Sequence, residues 1–136
     1  MQFTESIEFG EDAGEVWTRV SDVEKIPQFW HGTKSLQLIE KKPAGRLDVK
    51  IRFAFGGSGN ADISVDNENH VLVINYYSGP VLGLQKVTID GKQLIASWDV
   101  KFTGLFRLAS GWNERHFRSG TIHALERLTS GRTQLT

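Results

Sequence analysis

His116 and His123 share one face of segment 105–128 with Trp112, Asn113, Phe117 and Gly120. Imidazole titrates near neutral pH, so either histidine, set in a cavity, could serve as a general acid or base. Asn113 is the only polar neighbour on that face able to orient them. The two histidines are seven residues apart, about 10.5 Å along a helix axis, and cannot chelate one metal as an i, i+4 pair would. With no cysteine in the chain, neither a metal site nor a thiolate nucleophile is expected. Nucleophile elbow, Ser-His-Asp order and paired carboxylates are all absent. Gly56-Gly57-Ser58-Gly59 lies between strands with no helix after it, so it is not a phosphate loop. No cofactor is implied, and the sequence leans against an enzyme.

The element that must position these side chains is a long C-terminal helix. On a helical wheel its inner arc carries Ala109, Trp112, Asn113, His116, Phe117, Gly120, His123 and Ala124. Glu114, Arg118 and Thr121 fall opposite, where water is expected. A helix that only plugged a core would carry Leu, Ile and Val on its inner stripe. Two His, an Asn and a Gly beside Trp and Phe predict a face that looks onto a cavity. The competing reading keeps Trp112 and Phe117 as core and bonds the histidines to the sheet. Arg127, near the same arc, is a weak candidate to meet a ligand carboxylate, and Arg52 is expected in solvent, opposite Ile51 and Phe53.

The rest of the chain supplies what lies across from that face. Phe3, Ile7 and Phe9 alternate with polar residues as a half-buried strand, interrupted by Glu5. Asp12 with Glu15 predicts a capping box for a helix over Ala13 to Val20, buried through Val16, Trp17 and Val20. A second, shorter helix starts near Val23, with Pro27 in its first turn. It leads into Phe29-Trp30-His31, which either closes over a cavity mouth or fills the gap between helix and sheet. Six strands follow, around 34–41, 46–55, 61–65, 70–77, 82–89 and 94–102, with a strong hairpin signal at Asp90-Gly91. Glycines 56, 57, 59, 79 and 83 are expected at bends and bulges. Either Tyr76 or Tyr77 must face inward, as should Trp98 with Ala96 and Val100; core packing and ligand contact are both open to them. Thr103 is placed to cap the long helix and Gly131 lies past its end. Antiparallel strands with one long helix predict an α+β domain, its sheet curled over that helix.

Formal net charge is zero over 136 residues, which leaves no electrostatic footprint for nucleic acid. No apolar run approaches the ~20 residues of a membrane span, and the N-terminus has no signal pattern. The expectation is a soluble, cytoplasmic protein without stable membrane insertion.

The run from Ala13 to Trp30, with Val16-Trp17, Ser21-Asp22 and Pro27 following one strand, resembles the opening of the START-like, birch-pollen-allergen-like helix-grip superfamily. That group includes polyketide cyclases and coenzyme-Q-binding proteins. The element order extends the resemblance over residues 1–136 as a single ligand-binding domain. It implies a curved seven-stranded antiparallel sheet around a long C-terminal helix, two short helices after strand 1, and an apolar cavity. Members bind lipids, sterols, polyketides, quinones or plant hormones. They share no catalytic set, so only cavity positions carry over: Phe29, Trp30, Tyr76, Trp98, Ala109, Trp112, Asn113, His116, Phe117, Gly120 and His123. The expected function is binding of a fatty-acid-, lipid- or isoprenoid-like molecule. The alternative is a cyclase- or dehydratase-like enzyme with His116 or His123 as acid/base. A homodimer through the apolar strand at 70–77 is compatible with either.

Overall fold

Period-two alternation of apolar and polar residues runs through seven segments, and each is a strand of one antiparallel sheet: β1 (Gln2–Glu8), β2 (Thr33–Lys42), β3 (Arg46–Phe53), β4 (Ser58–Asp66), β5 (Val71–Tyr76), β6 (Val81–Asp90) and β7 (Gln93–Phe102). Three helices accompany them, α1 (Ala13–Ser21), α2 (Ile26–Phe29) and α3 (Ser110–Ser130), with 3₁₀ turns at Val23–Lys25 and Gly104–Ala109. The computed structural model describes residues 1–130, the side chains of 109–112 and 130 excepted. The expected positions of the Ala109 and Trp112 side chains and of Gly131 therefore lie outside the described residues.

Strand order is β1-β7-β6-β5-β4-β3-β2, so β1 and β2, neighbours in sequence, form opposite edges. The chain passes between those edges through α1 and α2. The inner face carries Val49, Ile51, Ala61, Ile63, Leu72, Ile74, Val87, Leu94, Ala96, Trp98 and Val100, all buried. Buried Leu125 and Leu128 of α3 complete this core, with Val16, Trp17 and Val20 from α1.

The last turn and the middle of α3 are tied down by its neighbours. Arg19 of α1 donates to the carbonyl oxygens of Leu128 and Thr129 and pairs with Glu11. A guanidinium there satisfies carbonyls that the last helical turn leaves open and complements the helix dipole. Arg118 lies over the Phe3 ring, 4.8 Å from its centroid, and pairs with Glu5 at 3.1 Å. That pairing accounts for the acidic interruption of β1.

Local expectations were refined in three places. Asp12 sits at the start of α1 but makes no side-chain cap; its carbonyl accepts from Glu15 and Val16 instead. The segment after Gly104 begins as a 3₁₀ turn and becomes α-helical at Ser110. Gly104 itself takes a positive φ of 60°, which no right-handed helix accommodates. Tyr76 faces inward at 4% exposure and Tyr77 outward at 50%.

Two glycines are required by the sheet's shape. Gly83 has φ of 130°, and a Cβ there would stand 2.2 Å from Asp99 O on the neighbouring strand. At Gly59 a Cβ would meet Ser78 O at 2.0 Å. Gly83→Ala should therefore destabilise the fold by about 1–3 kcal/mol in urea denaturation, through backbone strain and the displaced strand. The control Gly10→Ala adds its methyl in open space and should shift stability by only about 0.5 kcal/mol.

Candidate functional site

The sheet's curvature leaves a cavity of about 340 Å³ between its inner face, the segment after α2, and α3. Among the described residues, six aromatic side chains wall it: Trp30, Phe53, Phe55, Tyr76, Trp98 and Phe117. Trp98 is the centre of this group. Its ring stacks with Tyr76 at 6.2 Å and 11°, and meets Phe117 edge-on at 5.1 Å and Trp30 at 6.3 Å. Phe55 lies 6.1 Å from Phe117 and 5.1 Å from Phe53.

The Trp98 and Tyr76 donors in the deep wall are already paired. Trp98 Nε1 donates to Thr121 Oγ1 at 3.0 Å, and that hydroxyl donates to Phe117 O at 2.7 Å. The Tyr76 hydroxyl donates to Gln85 Oε1 at 2.9 Å, with both residues buried. Burial holds the Tyr76 phenol above its ordinary pKa, so it stays a neutral donor. Wall and polar contacts together suit an apolar body held in a fixed orientation.

The mouth has a different chemistry. On α3, His116, Gly120, His123 and Arg127 follow one another at steps of four, three and four residues, which makes one stripe along the helix edge. His116, Gly120 and His123 are exposed while bordering the cavity. His31, also exposed, borders it from the segment after α2 and donates through Nε2 to Gln28 O at 3.2 Å. Arg127 donates to Phe29 O at 3.0 Å. The His31 pKa is pushed below its usual 6.5, first by partial burial, then by the Arg127 charge and more weakly by His123, with the Gln28 contact opposing.

Of the residues singled out from sequence, Trp30, Tyr76, Trp98, His116, Phe117, Gly120 and His123 border the cavity. Phe29 and Asn113 do not. Phe29 is buried in the core at 4% exposure, and Asn113, also buried, donates to Phe106 O at 2.8 Å. Thr121 was expected toward water, yet it is 1% exposed and faces the sheet. The inward stripe of α3 runs Asn113, Phe117, Thr121, Ala124, Leu125, Leu128, all buried except the half-buried Phe117. It is turned by nearly one residue step, about 100° at 3.6 residues per turn, from the expected arc. The histidines thus sit at the rim instead of the floor. Burial of Thr121 is inexpensive because its hydroxyl bonds within its own helix and accepts from Trp98.

Phe53, Phe55, Gln85 and Thr121 are among the lining residues that sequence reasoning missed. Gln85 was detectable: it falls in phase with Val81 and Val87 along β6, and a polar residue at an inward position marks either a buried network or a site.

No protein-family model and no curated protein matches the sequence. The fold is nonetheless shared with solved structures. It superposes on the ZhuI aromatase/cyclase of Streptomyces sp. R1128 with a TM-score of 0.72 at 13% identity, covering 96% of this chain and 92% of that one. A START superfamily protein from Mycobacterium smegmatis gives 0.65 at 17% identity, covering 94% and 99%. The STAR-related lipid transfer protein of Xanthomonas axonopodis gives 0.61 at 10% identity, covering 96% and 84%. The chain therefore has the START-like helix-grip fold. No helix among the described residues is long and apolar enough to cross a membrane.

Two measurements check this geometry. Thr121→Val leaves the buried Trp98 N–H without its acceptor and should cost about 1–3 kcal/mol in urea denaturation, whereas Thr121→Ser keeps the oxygen and should cost less. In an NMR titration His31 should protonate below pH 6.5. Arg127→Gln should raise that value part of the way, since burial continues to act; an unchanged value would disprove the Arg127–His31 coupling.

Proposed function

We propose that the chain binds a hydrophobic small molecule of the fatty-acid, lipid or isoprenoid class in the cavity between sheet and α3. The observation that carries this reading is the aromatic wall around about 340 Å³ of space. That volume is at the small end of the range of roughly 300–1,000 Å³ usual for ligand sites. Each square ångström of apolar ligand surface buried there contributes about 25 cal/mol. The Tyr76 hydroxyl and the Trp98 N–H of the deep wall already have protein acceptors, so an apolar body can cover them without loss.

The likeness to an aromatase/cyclase motivates a second reading, a cyclase- or dehydratase-like enzyme with His116 or His123 as the acid/base. Both imidazoles border the cavity. Against it, Asn113, the expected orienting partner, spends its amide on Phe106 O away from the cavity. Binding is the better supported of the two.

Purified protein examined by native mass spectrometry, with organic extraction of the same sample, should carry or take up one equivalent of a hydrophobic small molecule. A side chain added at Gly120 starts in open space at the mouth. Gly120→Phe should therefore fold with unchanged circular dichroism and lose the ligand. Undiminished ligand in a folded Gly120→Phe variant would count against this cavity as the site.

A further inference from the structure

The chain carries 16 acidic and 16 basic residues, yet among the described residues no aspartate or glutamate borders the cavity, while His31, His116, His123 and Arg127 do. The imbalance is local and lies at the mouth.

Arg127 carries the argument. Three arginines with described surroundings are partly buried: Arg19, Arg118 and Arg127. Arg19 faces Glu11 and Arg118 faces Glu5. Among the described residues Arg127 has no carboxylate partner; one Nη is spent on Phe29 O. A partly desolvated guanidinium without a counter-ion is costly to keep, and its planar fork matches a carboxylate. The Arg127 charge and His123 are both felt at His31 across the mouth, so an anion placed there would meet three groups at once. The deep wall, by contrast, offers only neutral groups.

We propose that the ligand is a hydrophobic carboxylic acid, its apolar body in the aromatic chamber and its carboxylate at the mouth on Arg127, with His31 and His123 beside it. This rests on the cavity being a binding site. It adds that the site selects for an anion.

Calorimetric titration at pH 7 with two matched pairs tests it: decanoate against decanol, and naphthalene-acetate against its methyl ester. The acid of at least one pair should bind about tenfold or more tightly than its neutral counterpart, the gain expected of a charge-assisted contact. Arg127→Gln should abolish that preference while leaving binding of the neutral compound unchanged, and Arg127→Lys should restore most of it. His31→Gln should weaken the preference in the wild-type and Arg127→Lys backgrounds. Neutral compounds that bind as tightly as the acids would overturn the anion assignment and leave the cavity reading standing. Binding of none of the four compounds would overturn both.

Discussion

One hydroxyl holds the two halves of this molecule in register. Thr121 Oγ1 accepts from the Trp98 indole and donates to Phe117 O within its own helix. The indole N–H is buried, and an unmet donor there would cost about 1–3 kcal/mol. The bond therefore fixes both the rotation of α3 about its axis and the plane of the Trp98 ring. Because that ring stacks on Tyr76 and meets Phe117 and Trp30 edge-on, the orientation of the aromatic wall follows from it. Turned by one residue step, α3 would carry its histidines into the chamber and leave Leu125 and Leu128 without the core they now fill.

The cavity exists because the sheet bends away from the helix. Positive φ at Gly83 and close backbone approach at Gly59 allow that bend. At the other end, Arg19 ties the last turn of α3 to α1, so the helix does not sink into the space. The chamber is thus kept open by backbone geometry and by one arginine cap, while its walls are chosen by side-chain alternation.

The strands were legible because each inner face repeats at period two with bulky apolar residues, as in Val49, Ile51 and Phe53. The helix was legible in extent and not in phase. Its aromatic, His and Gly residues form an arc that resembles an inner face, whereas Thr121, which belongs inside, reads as surface. A hydroxyl that bonds to its own helix is polar in sequence and neutral in packing, and no wheel registers the difference. Phe29 reads as a mouth residue from its neighbours Trp30 and His31, but it ends α2 on the same buried helical face as Ile26, three residues earlier, and goes to the core. The charge pattern of the mouth was equally hidden, since His31 and Arg127 are brought together only when α2 docks beside α3.

The bare backbone at Gly120 has a consequence for how the molecule balances durability against access. Alanine in the middle of a helix is favoured over glycine by roughly 1 kcal/mol, and a methyl at position 120 would meet nothing within 4 Å. The fold thus forgoes readily available stability at a helical position that borders the mouth without a side chain. What it keeps is open space: at this point the rim of the cavity is bare backbone, and its shape there is set by a missing side chain.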